Sequence, residues 1–199
     1  LKQAPIKLFI SAANVHTGRG RVFRNAEITP DVLLASACLP TMFPAVEIDG
    51  ESYWDGGYFG NPAMTPLVRE CKSLDTILVQ INPIVRNETP KTARGILNRL
   101  NEVAFNAVLM KELRMMALVR QMPISDVPEL KMLAAMRIHR INSETLTELG
   151  SSSKLNAEWA FLTMLRDEGR KAAGAFLELH GADLGVRSTF DLEPLLQGL

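Results

Sequence analysis

The sequence predicts an α/β fold, and three observations lead there. Residues 6–28 and 46–54 hold strand-like runs around glycine-bearing turns. Thr76–Ile81 is an unbroken apolar run bounded by turn residues, the pattern of a strand covered on both faces of a parallel or mixed sheet. Between and after these lie segments whose apolar residues recur every three or four positions, the longest from Lys91 to Gln121. Strands interleaved with amphipathic helices bury their apolar faces as a sheet under helices, and 199 residues at 47% hydrophobic content supply a good-sized core.

The elements follow in order. Strands over Ile6–Val15 and Arg21–Ile28 are joined by His16-Thr17-Gly18-Arg19-Gly20, whose glycines provide the positive φ of a hairpin. Thr29-Pro30-Asp31 opens a short helix with Val32, Leu33, Leu34, Ala35 and Ala37 as its inner face, ended by Leu39-Pro40. Val46–Ile48 and Ser52–Trp54 flank Asp49-Gly50, a strong two-residue turn signal. The glycine-dense loop Asp55–Pro62 leads into a helix from Ala63 to Cys71, and the apolar strand comes next. In the long helix Ile96, Leu97, Leu100, Val103, Ala104, Ala107, Val108, Met115 and Leu118 are read as inward, and Pro123 closes it. A short helix through Met132, capped by Ser125 or Asp126, precedes a strand over Arg137–Ile141. A last helix spans Asn156–Leu179, with Trp159, Leu162, Leu165, Ala172 and Phe176 inward.

Composition excludes several functions. Lys and Arg number 22 against 22 Asp and Glu, so no global field attracts nucleic acid. No apolar run of about 18 residues reads as a membrane span. Cys38 and Cys71 show no paired spacing and read as reduced core thiols of a cytoplasmic protein. The chain opens at Leu1 without Met and almost at once reaches a strand. It is therefore expected to be the C-terminal part of a longer protein, with an apolar face around Ile77–Ile81 left for the missing segment.

Asp55 is the leading candidate for chemistry. Unlike Asp49, which sits between two strand runs, it ends a strand, precedes Gly56 and Gly57, and leads through Asn61-Pro62 into a helix. A carboxylate at a strand end on an uncrowded loop can act as a base; the same Asp-Gly pair also serves as an ordinary turn. His16, His139 and His180 are scattered without metal-ligand spacing, and neither dinucleotide nor P-loop glycine patterns occur. The long helix is rich in cations, with Lys111 and Arg114 on its second half. Such a helix either meets an anionic membrane or exposes a solvated face over a core stripe.

Ala35-Ser36-Ala37-Cys38-Leu39-Pro40-Thr41-Met42-Phe43-Pro44, followed by Ile48-Asp49-Gly50, Tyr53-Trp54-Asp55-Gly56-Gly57 and Asn61-Pro62, resembles the second half of a patatin-like phospholipase domain. Downstream, Ser152–Asn156, Leu165–Arg170 and Leu184–Thr189 resemble the C-terminal region of bacterial members. The resemblance implies one domain portion over 1–199, of three-layer type, with a mixed and mainly parallel sheet covered by helices. It further implies a lipid acyl hydrolase with a Ser-Asp dyad whose aspartate falls at Asp55, supported by Gly56, Gly57, Asn61 and Pro62, without metal or organic cofactor. None of the ten serines lies in a Gly-x-Ser-x-Gly elbow, and the family's oxyanion loop is absent. Both are expected upstream of Leu1. The substrate implied is a lipid or other acyl ester; on the membrane reading of the cation-rich helix, Lys111 and Arg114 make the peripheral contact. The alternative is a non-catalytic lipid-binding or regulatory fragment of the same fold.

Overall fold

The computed structural model describes residues 4–123, 126–149, 153 and 156–197. The chain divides into two compact units, one of Leu1–Cys71 with Ala104–Glu112, the other of Lys72–Val103 with Leu113–Leu199.

The first unit is built on a four-stranded sheet of order β2-β1-β4-β3, with β1 at Phe9–Asn14, β2 at Gly20–Arg24, β3 at Val46–Ile48 and β4 at Glu51–Asp55. Every pairing in it is antiparallel. The β1–β2 turn takes positive φ at Gly18 (66°), while Gly20 already belongs to β2. Asp49 (φ 55°) and Gly50 (φ 79°) are both left-handed, as a two-residue turn of the kind that matches strand twist requires. Helix α1 (Pro30–Ser36) starts at Thr29, whose side chain accepts the Val32 N–H. It packs Val32 and Ala35 onto Ala12, Phe23 and Tyr53 of the sheet. The Arg21 guanidinium lies 4.3 Å from the centre of the Phe23 ring, so this core is capped by a cation–π contact. Helix α2 (Met64–Glu70) follows the glycine loop, and Arg24 ties it back to β2 through Glu70.

The second unit holds a parallel pair, β5 (Asp75–Gln80) and β6 (Arg137–Asn142). Parallel strands need a long crossover, and α3 (Ala93–Gln121) with α4 (Pro128–Ala135) lies between them in sequence. Helix α5 (Glu144–Glu148), unforeseen in the sequence reading, and α6 (Trp159–His180) complete the α-helices among the described residues. The segment after α6 is pinned to the pair by polar contacts. Ser188 Oγ accepts the Ile138 N–H at 3.1 Å, and the Thr189 and Phe190 N–H groups donate to the Ile138 carbonyl. Asp75 accepts both Arg137 Nε (2.8 Å) and Nη2 (2.6 Å), the Gly185 N–H (2.9 Å), and lies 3.1 Å from His139 Nε2. The Arg137 hydrogen bonds, then the Gly185 N–H, hold this carboxyl well below the ordinary aspartate range.

Mixed α/β composition stands, but the mainly parallel sheet does not. Strands joined by the short turns at Gly18 and Asp49-Gly50 return antiparallel, and among the described residues parallel pairing is confined to β5–β6. Strand β5 is covered on one face only, with Leu78 buried and Ile77, Val79 and Ile81 exposed. In α1, Leu33, Leu34 and Ala37 are exposed and only Val32 and Ala35 face the sheet. The short helix α4 begins after Val127, and Asp126 pairs with Lys131 instead of capping it; Ser125 lies outside the described residues. On α6 Phe176 is buried, whereas Trp159 and Leu162 are exposed.

The largest correction concerns α3. Its inner face is Glu102, Phe105, Asn106, Leu109, Leu113, Met116 and Ala117, while Ile96, Leu97, Leu100, Val103, Ala107, Met115 and Leu118 are exposed. Both sets have helical spacing. The buried one is disguised by two polar members, and Glu102 tolerates burial because Arg86 and Arg99 bracket its carboxylate at 2.7 and 3.0 Å.

Candidate active site

Asp55 is the last residue of β4, in register with Ala12 of β1. Its N–H donates to the Cys38 carbonyl at 2.9 Å, which anchors the strand end to the chain leaving α1. Beyond it Gly56–Tyr58 forms a single 3-10 turn, and Asp55 Oδ1 accepts the Gly57 N–H at 2.7 Å. One N–H thus orients the carboxylate, as in an Asx turn.

The two glycines are demanded by packing. A Cβ on Gly56 would come within 2.0 Å of the Ser11 carbonyl oxygen of β1 and 2.4 Å of its Oγ. A Cβ on Gly57 would stand 2.9 Å from the Phe105 ring and 3.1 Å from Asp55 Oδ1. Absence of side chains therefore lets the turn lie flat on β1 and lets the Phe105 ring pass beside the carboxylate. Phe105 meets Tyr58 edge-on, ring centres 4.9 Å apart.

The next residues continue the same support. The Phe59 and Gly60 N–H groups both donate to the Gly56 carbonyl at 2.9 Å, and Ser11 Oγ reaches the Gly60 carbonyl at 3.5 Å. Asn61 and Pro62, joined by a cis peptide bond, carry the half-buried chain from this turn towards α2. Beside them a cavity of about 460 Å³ is lined by Phe59, Gly60, Ala63, Met64 and Glu112 among others. Asp55 is not among the residues that line it.

Two neighbours feel the charge of Asp55. Burial and then the nearby carboxylate push the Cys38 thiol up, and the same causes raise the Tyr58 phenol. Cys38 is kept as a thiol, its Sγ 3.1 Å from the Pro44 carbonyl, which makes it a poor nucleophile. Burial likewise raises the Glu112 carboxyl in the cavity wall. Trp54, the residue before Asp55, has a buried indole N–H with no hydrogen-bond partner among the described residues. An orphaned buried donor of this kind costs about 1–3 kcal/mol.

Asp55, Gly56 and Gly57 therefore share one turn of the first unit, and Asn61 and Pro62 lie on the segment that leads from it to α2. Lys111 is exposed on the part of α3 that belongs to that unit. Arg114 is half-buried, and its Nε donates to the Leu195 carbonyl at 3.0 Å within the second unit. Sequence reading missed Ser11, Cys38 and Phe105 as neighbours of the turn. Only for Phe105 was there a signal, the stripe Phe105, Leu109, Leu113, Met116. Among the described residues no group of three or more His, Cys, Asp or Glu side chains could hold a metal ion, and no helix is long and apolar enough to cross a membrane.

The turn and the strands beneath it coincide with a family match. Residues 10–68 match the family model of the patatin-like phospholipases. The stretch covers under a third of the 199 residues and contains the whole Asp55 turn. No curated protein matches the chain. At the level of the family, the patatin-like match points to lipid acyl hydrolysis.

Proposed function

We propose that this chain carries the base of a serine acyl hydrolase acting on lipid or other acyl esters. In this reading the serine of a Gly-x-Ser-x-Gly elbow and its oxyanion loop come from outside the 199 residues. Asp55 takes the serine proton as Oγ attacks the ester carbonyl, then returns it to the departing alcohol. In the second half-reaction it takes a proton from water, which opens the acyl-enzyme and regenerates the serine. No metal or organic cofactor enters the scheme. The observation that carries the reading is Asp55 at a strand end inside the matched stretch, its carboxylate oriented by the Gly57 N–H over a turn pressed against β1. Contact with a membrane through Lys111 and Arg114 belongs to the same proposal, with Lys111 the exposed member of the pair. So does a cytoplasmic setting, which rests on the reduced cysteines.

A second reading, a non-catalytic lipid-binding or regulatory fragment, is favoured by two observations. The Gly57 bond to Asp55 is also what an Asx turn makes, and no serine of the chain has elbow glycines. Asp55→Asn in the protein joined to its serine segment separates the two. Asn preserves size and turn bonding but cannot take a proton at neutral pH. Acyl-ester turnover is expected to fall at least about a hundredfold, the low end of general-base contributions. Asp49→Asn, in the structural turn nearby, is expected to stay within a few fold. Near-normal turnover in a folded Asp55→Asn protein would overturn the hydrolase assignment.

A further inference from the structure

The first three turns of α3 and the segment before them join two features that the Asp55 site does not use. One is a wide cavity of about 910 Å³, lined on its charged side by Arg86, Lys91 and Arg99, with Asn98, Glu88 and Glu102 beside them. Glu102 fixes both guanidiniums. Arg86 donates to it from Nε and Nη2 (3.3 and 2.7 Å), and Arg99 from Nη1 (3.0 Å) while its Nη2 holds the Ile84 carbonyl (3.0 Å). Three cations thus line the cavity with two carboxylates, and Arg94 is exposed in the same first turns of the helix. The other feature is a ridge of exposed apolar side chains, Ile96, Leu97, Leu100 and Val103, with Leu100 61% exposed. The ridge lies on the same turns as cavity residues Gly95, Asn98 and Arg99, and successive residues are about 100° apart around a helix. Cavity and ridge are thus flanking surfaces of one helix end, and all these residues belong to the second unit.

We infer that this helix end docks on an anionic phospholipid surface, with a headgroup phosphate in the Arg86–Lys91–Arg99 cavity and Ile96, Leu100 and Val103 at the headgroup–acyl boundary. Charge complementarity and the adjoining apolar ridge select this occupant. A free phosphate would have no use for the ridge, and nucleic acid would find neither a continuous basic face nor a net positive charge. The inference rests on the acyl-ester reading above and adds a lipid class and a place to it.

The test is cosedimentation of the 199-residue chain with vesicles of phosphatidylcholine alone or mixed with phosphatidylglycerol. It reads no turnover, so its failure leaves the role of Asp55 untouched, and loss of that role leaves this result standing. Binding is expected to the mixed vesicles and to weaken with salt. Lys91→Gln should reduce it about fivefold, the equivalent of about 1 kcal/mol per basic residue at such a surface. Ile96→Ser with Leu100→Ser should reduce it at least as much, whereas Leu179→Ser, an exposed apolar residue on α6, should leave it unchanged. Equal binding to neutral vesicles, equal loss with Leu179→Ser, or no vesicle binding would each overturn the proposal. So would a thermal shift with inorganic phosphate that Lys91→Gln abolishes while vesicles stay unbound, since that outcome assigns the cavity to a free anion.

Discussion

Gly56 lies so close to Ser11 that a Cβ on it would stand 2.0 Å from the Ser11 carbonyl oxygen, an obstacle of backbone on a paired strand. The contact sets the height of the turn above β1 and so the place of the Asp55 carboxylate. Gly56→Ala is expected to destabilise the chain at the upper end of the about 1–3 kcal/mol typical of overpacking. Gly57→Ala should cost less, because its Cβ meets a Phe105 ring that can shift. Urea denaturation of both variants checks this. An unchanged midpoint for Gly56→Ala would show that the turn does not rest on β1.

The inward face of α3 makes a second prediction. Leu113 is 2% exposed and Leu100 lies on the open side. Leu113→Ala should therefore cost about 2–5 kcal/mol. Leu100→Ala should stay within about 0.5 kcal/mol, as exposed substitutions usually do. The reverse order in chemical denaturation would place the helix in the other register, the one its apolar periodicity first suggests.

Asp75 makes a prediction about pH. Its folded pKa is depressed, first by Arg137, then by the Gly185 N–H, so the unfolded chain takes up this proton at a higher pH than the folded one. The stability it contributes is fully present above the ordinary aspartate value of about 3.9 and is lost as pH falls below that value towards the depressed one. Asp75→Asn should accordingly lower the melting temperature at pH 7 and lower it less at pH 3. A gap between wild type and variant that widens on acidification would contradict the assigned direction.

The sequence by itself determined the local elements and the candidate carboxylate. The Asp49-Gly50 hairpin, the Thr29 cap, the strand over Arg137–Ile141 and the isolation of Asp55 before two glycines follow from turn chemistry and short-range sterics, which act over a few residues. The family resemblance drawn from those residues coincides with the match over 10–68. Tertiary structure decided what depends on distant partners. It decided which of two stripes of α3 is buried, and it pairs the Glu102 carboxylate on that stripe with Arg99 and with Arg86, 16 positions away in the chain. It decided that the two hairpins join into one antiparallel sheet, since β1 pairs with β4 across remote edges of the chain, Ala12 opposite Asp55. And it gave Gly56 its reason, the Ser11 backbone 45 positions earlier in the chain, a contact that no local pattern encodes.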